Sequence, residues 1–345
     1  MPDRAKLEQM VQAKRMRRRE FIAGLASLVA CPHQVSRAQQ PGGKRLIGVL
    51  MGFAESDLGA RSWLSTFRSA LTKLGWSEGS NLLIEVRWAV AGTDQLSALA
   101  KELVDLRPDA ILGVTTPVTG ALIRETTTIP IVFVAVADPI ASGFAASLGR
   151  PGGNVTGFAL YEPGMGGKWV QLLKEIAPNI LRIKLLFNPT TSVPIKIYMP
   201  SIEAAASSLG VEVNLTPVQA RDEIESIIAA EARNSGTGIV VMPDSFTTAN
   251  RELITELTAR HRLPAIYNAI IFAESGGLIA YGGNFAEQFR EAAAYIDRLL
   301  KGAKTADLPV QTPTKFDLII NLKTAKSMGV DVPIYLQQLA TELIE

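Results

Sequence analysis

Short runs of β-branched and aliphatic residues alternate along the chain with longer stretches whose apolar residues recur every three or four positions. A strand covered on both faces is apolar throughout, whereas a helix brings positions i, i+3, i+4 and i+7 to one face, so this rhythm predicts strands alternating with helices. Leu46–Met51, Leu82–Trp88, Ala110–Val114, Ile131–Val136 and Val155–Ala159 read as strands. Between them, Ser62–Leu74 reads as a helix with Trp63, Phe67, Ala70, Leu71 and Leu74 on one face. Asp94–Leu106 turns Leu96, Leu99, Leu103 and Leu106 inward, and a third helix runs from Thr115-Thr116-Pro117 through Arg124. The pattern then repeats. Trp169, Leu172, Leu173 and Ile176 mark a helix, followed by strand Arg182–Phe187, helix Ile195–Leu209 and strand Val211–Thr216. A helix marked by Ile224, Ile227 and Ile228, strand Gly238–Met242, helix Thr247–Arg260, strands Ala265–Tyr267 and Leu278–Tyr281, and a long helix Phe285–Lys301 complete it.

Strands alternating with helices make βα units and parallel sheets. Two successions of ~120–140 residues exceed what one core usually organises. The pattern therefore predicts an α/β fold of two Rossmann-like parallel-sheet lobes joined by a multi-strand hinge. Gly276–Gly283 and the Pro-marked Leu308–Thr314 are expected to return the chain to the first lobe. Lobe 1 then comprises residues 44–159 plus about 282–315, and lobe 2 residues 160–281 plus about 316–345.

The amino terminus breaks the rhythm. Arg17-Arg18-Arg19-Glu20-Phe21-Ile22 precedes the apolar run Ala23–Ala30, and Ser36-Arg37-Ala38 offers small residues for cleavage before Gln39. A basic block, a short apolar block and a small-residue site make an export signal, here of twin-arginine type, and residues 1–38 are expected to be removed. The apolar run is far short of the roughly 20 residues that span a bilayer. A competing reading takes Leu28-Val29-Ala30-Cys31 as a lipoprotein box that would leave a lipid on Cys31. Met16 opens the basic cluster and is a candidate start.

Charge looks different once that segment is set aside. Residues 1–38 carry eight Lys/Arg and three acids. Taken from 35 basic and 33 acidic residues, they leave 27 basic and 30 acidic, so the body is mildly acidic. Such a body offers no electrostatic footprint for nucleic acid or an anionic membrane surface. One cysteine forbids an intramolecular disulfide, and two histidines, His33 and His261, leave few imidazoles for a metal site or a Ser-His-Asp triad. No catalytic residue, metal or cofactor is expected. No G-x-G-x-x-G follows the first strand, which continues Gly52-Phe53-Ala54-Glu55, and no phosphate loop occurs.

In open parallel sheets ligands bind beyond the carboxyl ends of the strands. Thr115 and Thr116 sit at such an end. Thr116 can cap the next helix, with Pro117 in its first turn, and the free amides there suit a carboxylate. Asp138 and Asp244 end strands of lobe 1 and lobe 2. Each can hold a ligand ammonium or cap a helix, and as a pair they favour an amine-bearing ligand. Asn188 and Asn268 follow two further strands, where asparagine serves either a ligand or a turn. Tyr161 and Tyr281 lie near the expected crossings, where an aromatic can stack on a ligand or simply pack. Gly52 and Gly92 would free the backbone near the cleft.

Asp138-Pro139 followed by Leu148-Gly149-Arg150-Pro151-Gly152-Gly153-Asn154-Val155-Thr156-Gly157, the closing stretch Pro313–Lys326, and the start Arg17–Ile22 through Ala38-Gln39-Gln40 resemble the TrpX-like ABC transporter substrate-binding proteins. That family is similar in fold to type I periplasmic binding proteins. The resemblance spans nearly the whole chain. It implies a monomer in the periplasm that holds a small molecule between its lobes, possesses no enzyme activity, binds no nucleic acid, and works with an ABC permease in the inner membrane. Characterised relatives bind amino acids, including aromatic ones. By position the resemblance puts the Thr115-Thr116 turn, Asp138, Asp244 and Asn268 in the cleft. Relatives more often carry a bulky residue at the position of Cys31, which favours cleavage after Ala38 over lipidation. A sensor domain serving a membrane receptor would read the same way, and a cleft hydrolase using a Ser-Lys pair or carboxylates stays open. A transcription regulator of this fold would need a DNA-binding headpiece, and residues 1–43 show no helix-turn-helix pattern.

Overall fold

The protein is described here by a computed structural model, which places residues 43–89, 95–159, 162, 164–191 and 195–345. Residues 1–42, which hold the expected export segment and Cys31, lie outside the described residues, as do Gly92 and Tyr161. Lys44–Glu345 forms one compact unit built around two sheets.

The first sheet has the order β2-β1-β3-β4-β5, with β1 Arg45–Met51, β2 Leu82–Trp88, β3 Ala110–Val114, β4 Ile131–Val136 and β5 Val155–Ala159. All four pairings are parallel. Burial follows position: β3, with a neighbour on each side and helices on both faces, is buried at every residue, while edge strand β2 exposes Leu83 and Glu85. Helices α1 (Leu58–Lys73), α2 (Gln95–Asp105) and α3 (Thr116–Glu125) connect these strands. The start of α1 falls a turn before the expected Ser62, because the Asp57 carboxylate accepts from the Ala60 amide at 2.9 Å and caps the helix there.

The second sheet has the order β12-β11-β10-β9-β8-β6-β7. Its strands are β6 Arg182–Phe187, β7 Glu212–Pro217, β8 Thr237–Val241, β9 Ala265–Tyr267, β10 Ile279–Gly282, β11 Asp317–Asn321 and β12 Glu342–Ile344. The helices are α4 (Met165–Ile176), α5 (Met199–Leu209), α6 (Arg221–Ala232), α7 (Ser245–Ala249), α8 (Arg251–Arg260), α9 (Ile270–Glu274), α10 (Phe285–Leu300), α11 (Leu322–Met328) and α12 (Ile334–Leu339). The single helix expected over Thr247–Arg260 is two: at Asn250 the backbone leaves helical geometry and the side-chain amide donates to the Phe246 carbonyl at 2.9 Å.

Among the described residues the chain passes between the sheets three times, and the third passage explains the one antiparallel pairing, β10 with β11. After β10, helix α10 packs back on the first sheet and on α1, where Phe285 stacks on Trp63 at 4.6 Å between ring centroids. Val310 and Gln311 then join that sheet through Leu148, Gly157 and Ala159. When the chain returns to the second sheet it arrives at the end where β10 stopped, Asp317 opposite Gly282, so β11 runs back along β10. The Gly152–Gly157 block turns out to build this hinge. Asn154 donates to the Ile129 carbonyl at 2.7 Å, Thr156 to the Leu308 carbonyl at 2.6 Å, and the Gly153 carbonyl accepts from Thr305 at 2.8 Å. The Thr156 and Thr305 bonds dock the returning segment on β5 and the turn before it.

Candidate functional site

A narrow cavity of about 30 Å³ lies between the carboxyl ends of the two sheets. Phe53, Thr115, Thr116, Pro117, Ala135, Ala137 and Phe285 line it from the first lobe, and Thr191, Pro243, Asp244, Ser245 and Thr248 from the second.

On the first side, Thr115 closes β3 and precedes α3. Its backbone stands at φ 88°, ψ 159°, a region that belongs almost wholly to glycine and costs a β-branched residue of order 1–3 kcal/mol. Two backbone bonds hold it there: its amide donates to Val134 O and its carbonyl accepts from the Thr119 amide, both at 3.0 Å. The Thr115 side chain lies against Gly52, where a Cβ would stand 2.5 Å from Oγ1. Thr115 is 4% exposed, and its hydroxyl has no hydrogen-bond partner. Thr116, expected to cap α3, does not: the positive φ before it carries its hydroxyl to the Ala137 amide, at 3.4 Å. Ala135 also has a positive φ, 56°, where β4 slips register against β5. Buried Gln288 of α10 fixes this slip, accepting from the Ala135 amide and donating to Ala159 O, both at 2.9 Å.

On the second side, Asp244 ends the equivalent turn after β8 and caps α7. One carboxylate oxygen accepts from the Phe246 amide and the Thr191 hydroxyl, the other from the Asn188 amide. Desolvation by burial outweighs these bonds and pushes its pKa from 3.8 up to about 6. Neighbouring Ser245 has a buried hydroxyl without a partner.

Thr115, Thr116 and Asp244 are thus together at one cavity. The remaining expected residues with described positions do not line it. Asp138 accepts from the Ile140 and Ala141 amides of its own turn, at 3.0 and 2.9 Å, so the acidic pair Asp138–Asp244 is not formed there. Asn188 orders its own turn through the Thr190 and Thr191 amides and reaches the Gln219 carbonyl. Asn268, wholly buried, ties the ends of β8 and β9 together by donating to Val241 O and Met242 O, both at 3.0 Å. Tyr281 belongs to β10: its carbonyl accepts from the Trp169 indole at 2.8 Å and its ring packs on Phe316. Short polar side chains at strand ends find backbone donors or acceptors one to three residues away, and those local bonds take precedence over a ligand. Sequence reasoning passed over Phe285, counted as core because it sits on the inward stripe of its helix, and Ser245, which follows Asp244 directly. Nothing in the local sequence marks Ala135 or Thr191.

Residues 56–344 match the model of a family described as ABC transporter substrate binding protein. The chain belongs to that family. Its members capture a small-molecule substrate outside the cytoplasm for an ABC permease and are not enzymes. A "Tyrosine-binding protein" of Clostridioides difficile is 26% identical over 264 residues, 76% of this chain and 75% of that one. Among solved structures, an ABC domain in complex with L-Trp from Streptococcus pneumonia is similar at TM-score 0.79, with 24% identity over 88% of this chain and all of that one. A conserved domain protein from Vibrio cholerae is similar at TM-score 0.78, with 26% identity over 87% of this chain and 99% of that one. Among the described residues no helix is long and apolar enough to cross a membrane, and no three His, Cys, Asp or Glu side chains assemble a metal cage.

Proposed function

We propose that this family member binds a free amino acid, an aromatic one foremost, in the interlobe cavity. It does so as a periplasmic monomer released from its export segment, and it delivers the ligand to an inner-membrane permease. The carrying observation is the pairing of unlike groups across one cavity. Thr115 at the start of α3, its hydroxyl buried and unpartnered, shares the cavity lining with the second lobe's Asp244 and with Ser245, whose hydroxyl is also unpartnered. A zwitterion fits this division. Its carboxylate takes the α3 amino-terminal amides with the Thr115 hydroxyl, and its ammonium takes the spare lone pair of Asp244. Phe53 and Phe285, both packed on Trp63, supply an apolar wall for a ring. The tyrosine-binding relative and the L-Trp complex support the same reading.

Thermal-shift titration of the full chain against L-Trp, L-Tyr, L-Phe, the other amino acids, simple carboxylates and hexoses tests it. An aromatic amino acid at 100 times its Kd is expected to stabilise the fold by about 2.7 kcal/mol. A shift with hexoses and none with any amino acid would overturn the proposal.

A further inference from the structure

Asp57 and Arg251 are 194 residues apart and belong to opposite lobes. Asp57 stands just before α1 on the first lobe, and Arg251 opens α8 on the second. Arg251 Nη1 lies 2.6 Å from Asp57 Oδ2 and Nη2 lies 3.0 Å from Oδ1, a two-pronged ion pair. The side chains are only 5% and 10% exposed, so the lobes enclose the pair between them. Beside it the first turn of α1 touches the second lobe again: a Cβ on Gly59 would overlap the Ile271 side chain. The same Arg251 Nη1 donates to the Thr248 carbonyl at 3.1 Å, and the Thr248 hydroxyl donates to the Asp244 carbonyl at 2.7 Å. A continuous set of hydrogen bonds therefore runs from the ion pair to the cavity wall.

We infer that Asp57 and Arg251 are positioning residues for ligand capture: a latch that forms only when the lobes close and holds the second-lobe wall of the cavity in its closed place. The inference rests on the reading of the cleft as the capture site. The physical case is the asymmetry of a buried ion pair. Its desolvation nearly cancels its attraction, so it adds little to folding, but breaking it inside the closed interface leaves a buried charge alone. Such a pair discriminates sharply between one geometry and all others. Opening the cleft returns both groups to water, and Asp57 keeps its second task as the cap of α1.

The test is a distance measurement between spin labels on the exposed positions Ser62 of α1 and Glu256 of α8, in a Cys31→Ser background, with and without saturating L-Trp. Wild type is expected to show a short, closed component. Asp57→Asn keeps the helix cap, and Arg251→Met keeps the apolar stem. Each should lower the closed-to-open ratio about thirtyfold or more, as expected for truncating one partner of a buried charge pair. The double variant should be no worse than either single one, because the two residues act as one unit. Additive losses, an unchanged ratio in both single variants, or a wild type without a closed component in either condition would overturn the latch. If L-Trp leaves the wild-type distribution unchanged while the variants still lose the closed component, the amino-acid reading fails and the latch stands.

Discussion

Two strand-to-helix turns face each other across the cavity, Thr115-Thr116-Pro117 after β3 and Pro243-Asp244-Ser245 after β8. They occupy equivalent places in their sheets and are built in opposite ways. The Asp244 turn is saturated: its carboxylate collects a hydroxyl and two backbone amides and caps its helix. The Thr115 turn is the reverse. Its backbone is strained, its helix has no side-chain cap, and its hydroxyl is buried without a partner. One turn is stable on its own account and offers a ligand one remaining lone pair. The other holds strain and a buried hydroxyl without a partner, which is where function and stability part company.

The strongest way to break this comparison is Asp244→Ala. It leaves the Asn188 and Phe246 amides and the Thr191 hydroxyl unsatisfied, so the ligand-free protein should lose about 3–5 kcal/mol in denaturant unfolding. A ligand-free variant as stable as wild type would refute the saturated reading of that turn. The next effect is one of pH. Asp244 releases its proton near 3.8 when unfolded and near 6 when folded, so the native state keeps a proton that the unfolded chain has lost. The resulting stability is fully present below pH 3.8 and disappears as pH rises through about 6, a change of order 1–3 kcal/mol. Unfolding curves for wild type and Asp244→Asn between pH 4 and 7 should differ by that slope, and parallel curves would assign it elsewhere. The smallest effect is Thr115→Val. Removing a buried hydroxyl that bonds to nothing while keeping the shape should stabilise the ligand-free protein by about 1 kcal/mol. Amino-acid affinity should fall about tenfold, an equivalent loss in binding. Calorimetry showing unchanged affinity would remove the hydroxyl from the site.

Much of the fold was written in hydrophobic spacing. The runs that became β1, β3 to β6, β8 and β9 are apolar for most of their length, because a parallel strand buried on both faces has few polar positions to spare. Asp317–Asn321 was harder to read, since three apolar residues between polar ends do not distinguish a strand from a helix. The two turns at the cavity were legible too, because the rule that ligands lie beyond strand carboxyl ends depends only on topology.

Which polar residues at those ends are free for a ligand was not legible. Asp138 and Asp244 look alike in sequence, each ending a strand, one before Pro139 and the other after Pro243. The fold decided that one spends its carboxylate on its own turn and the other borders the cavity. It decided equally that Asp57 and Arg251 meet. Periodicity is a local property, fixed by backbone geometry over a few residues. Hydrogen-bond satisfaction and contact across the cleft depend on groups separated by up to 221 positions, and only the folded arrangement brings those groups to one place.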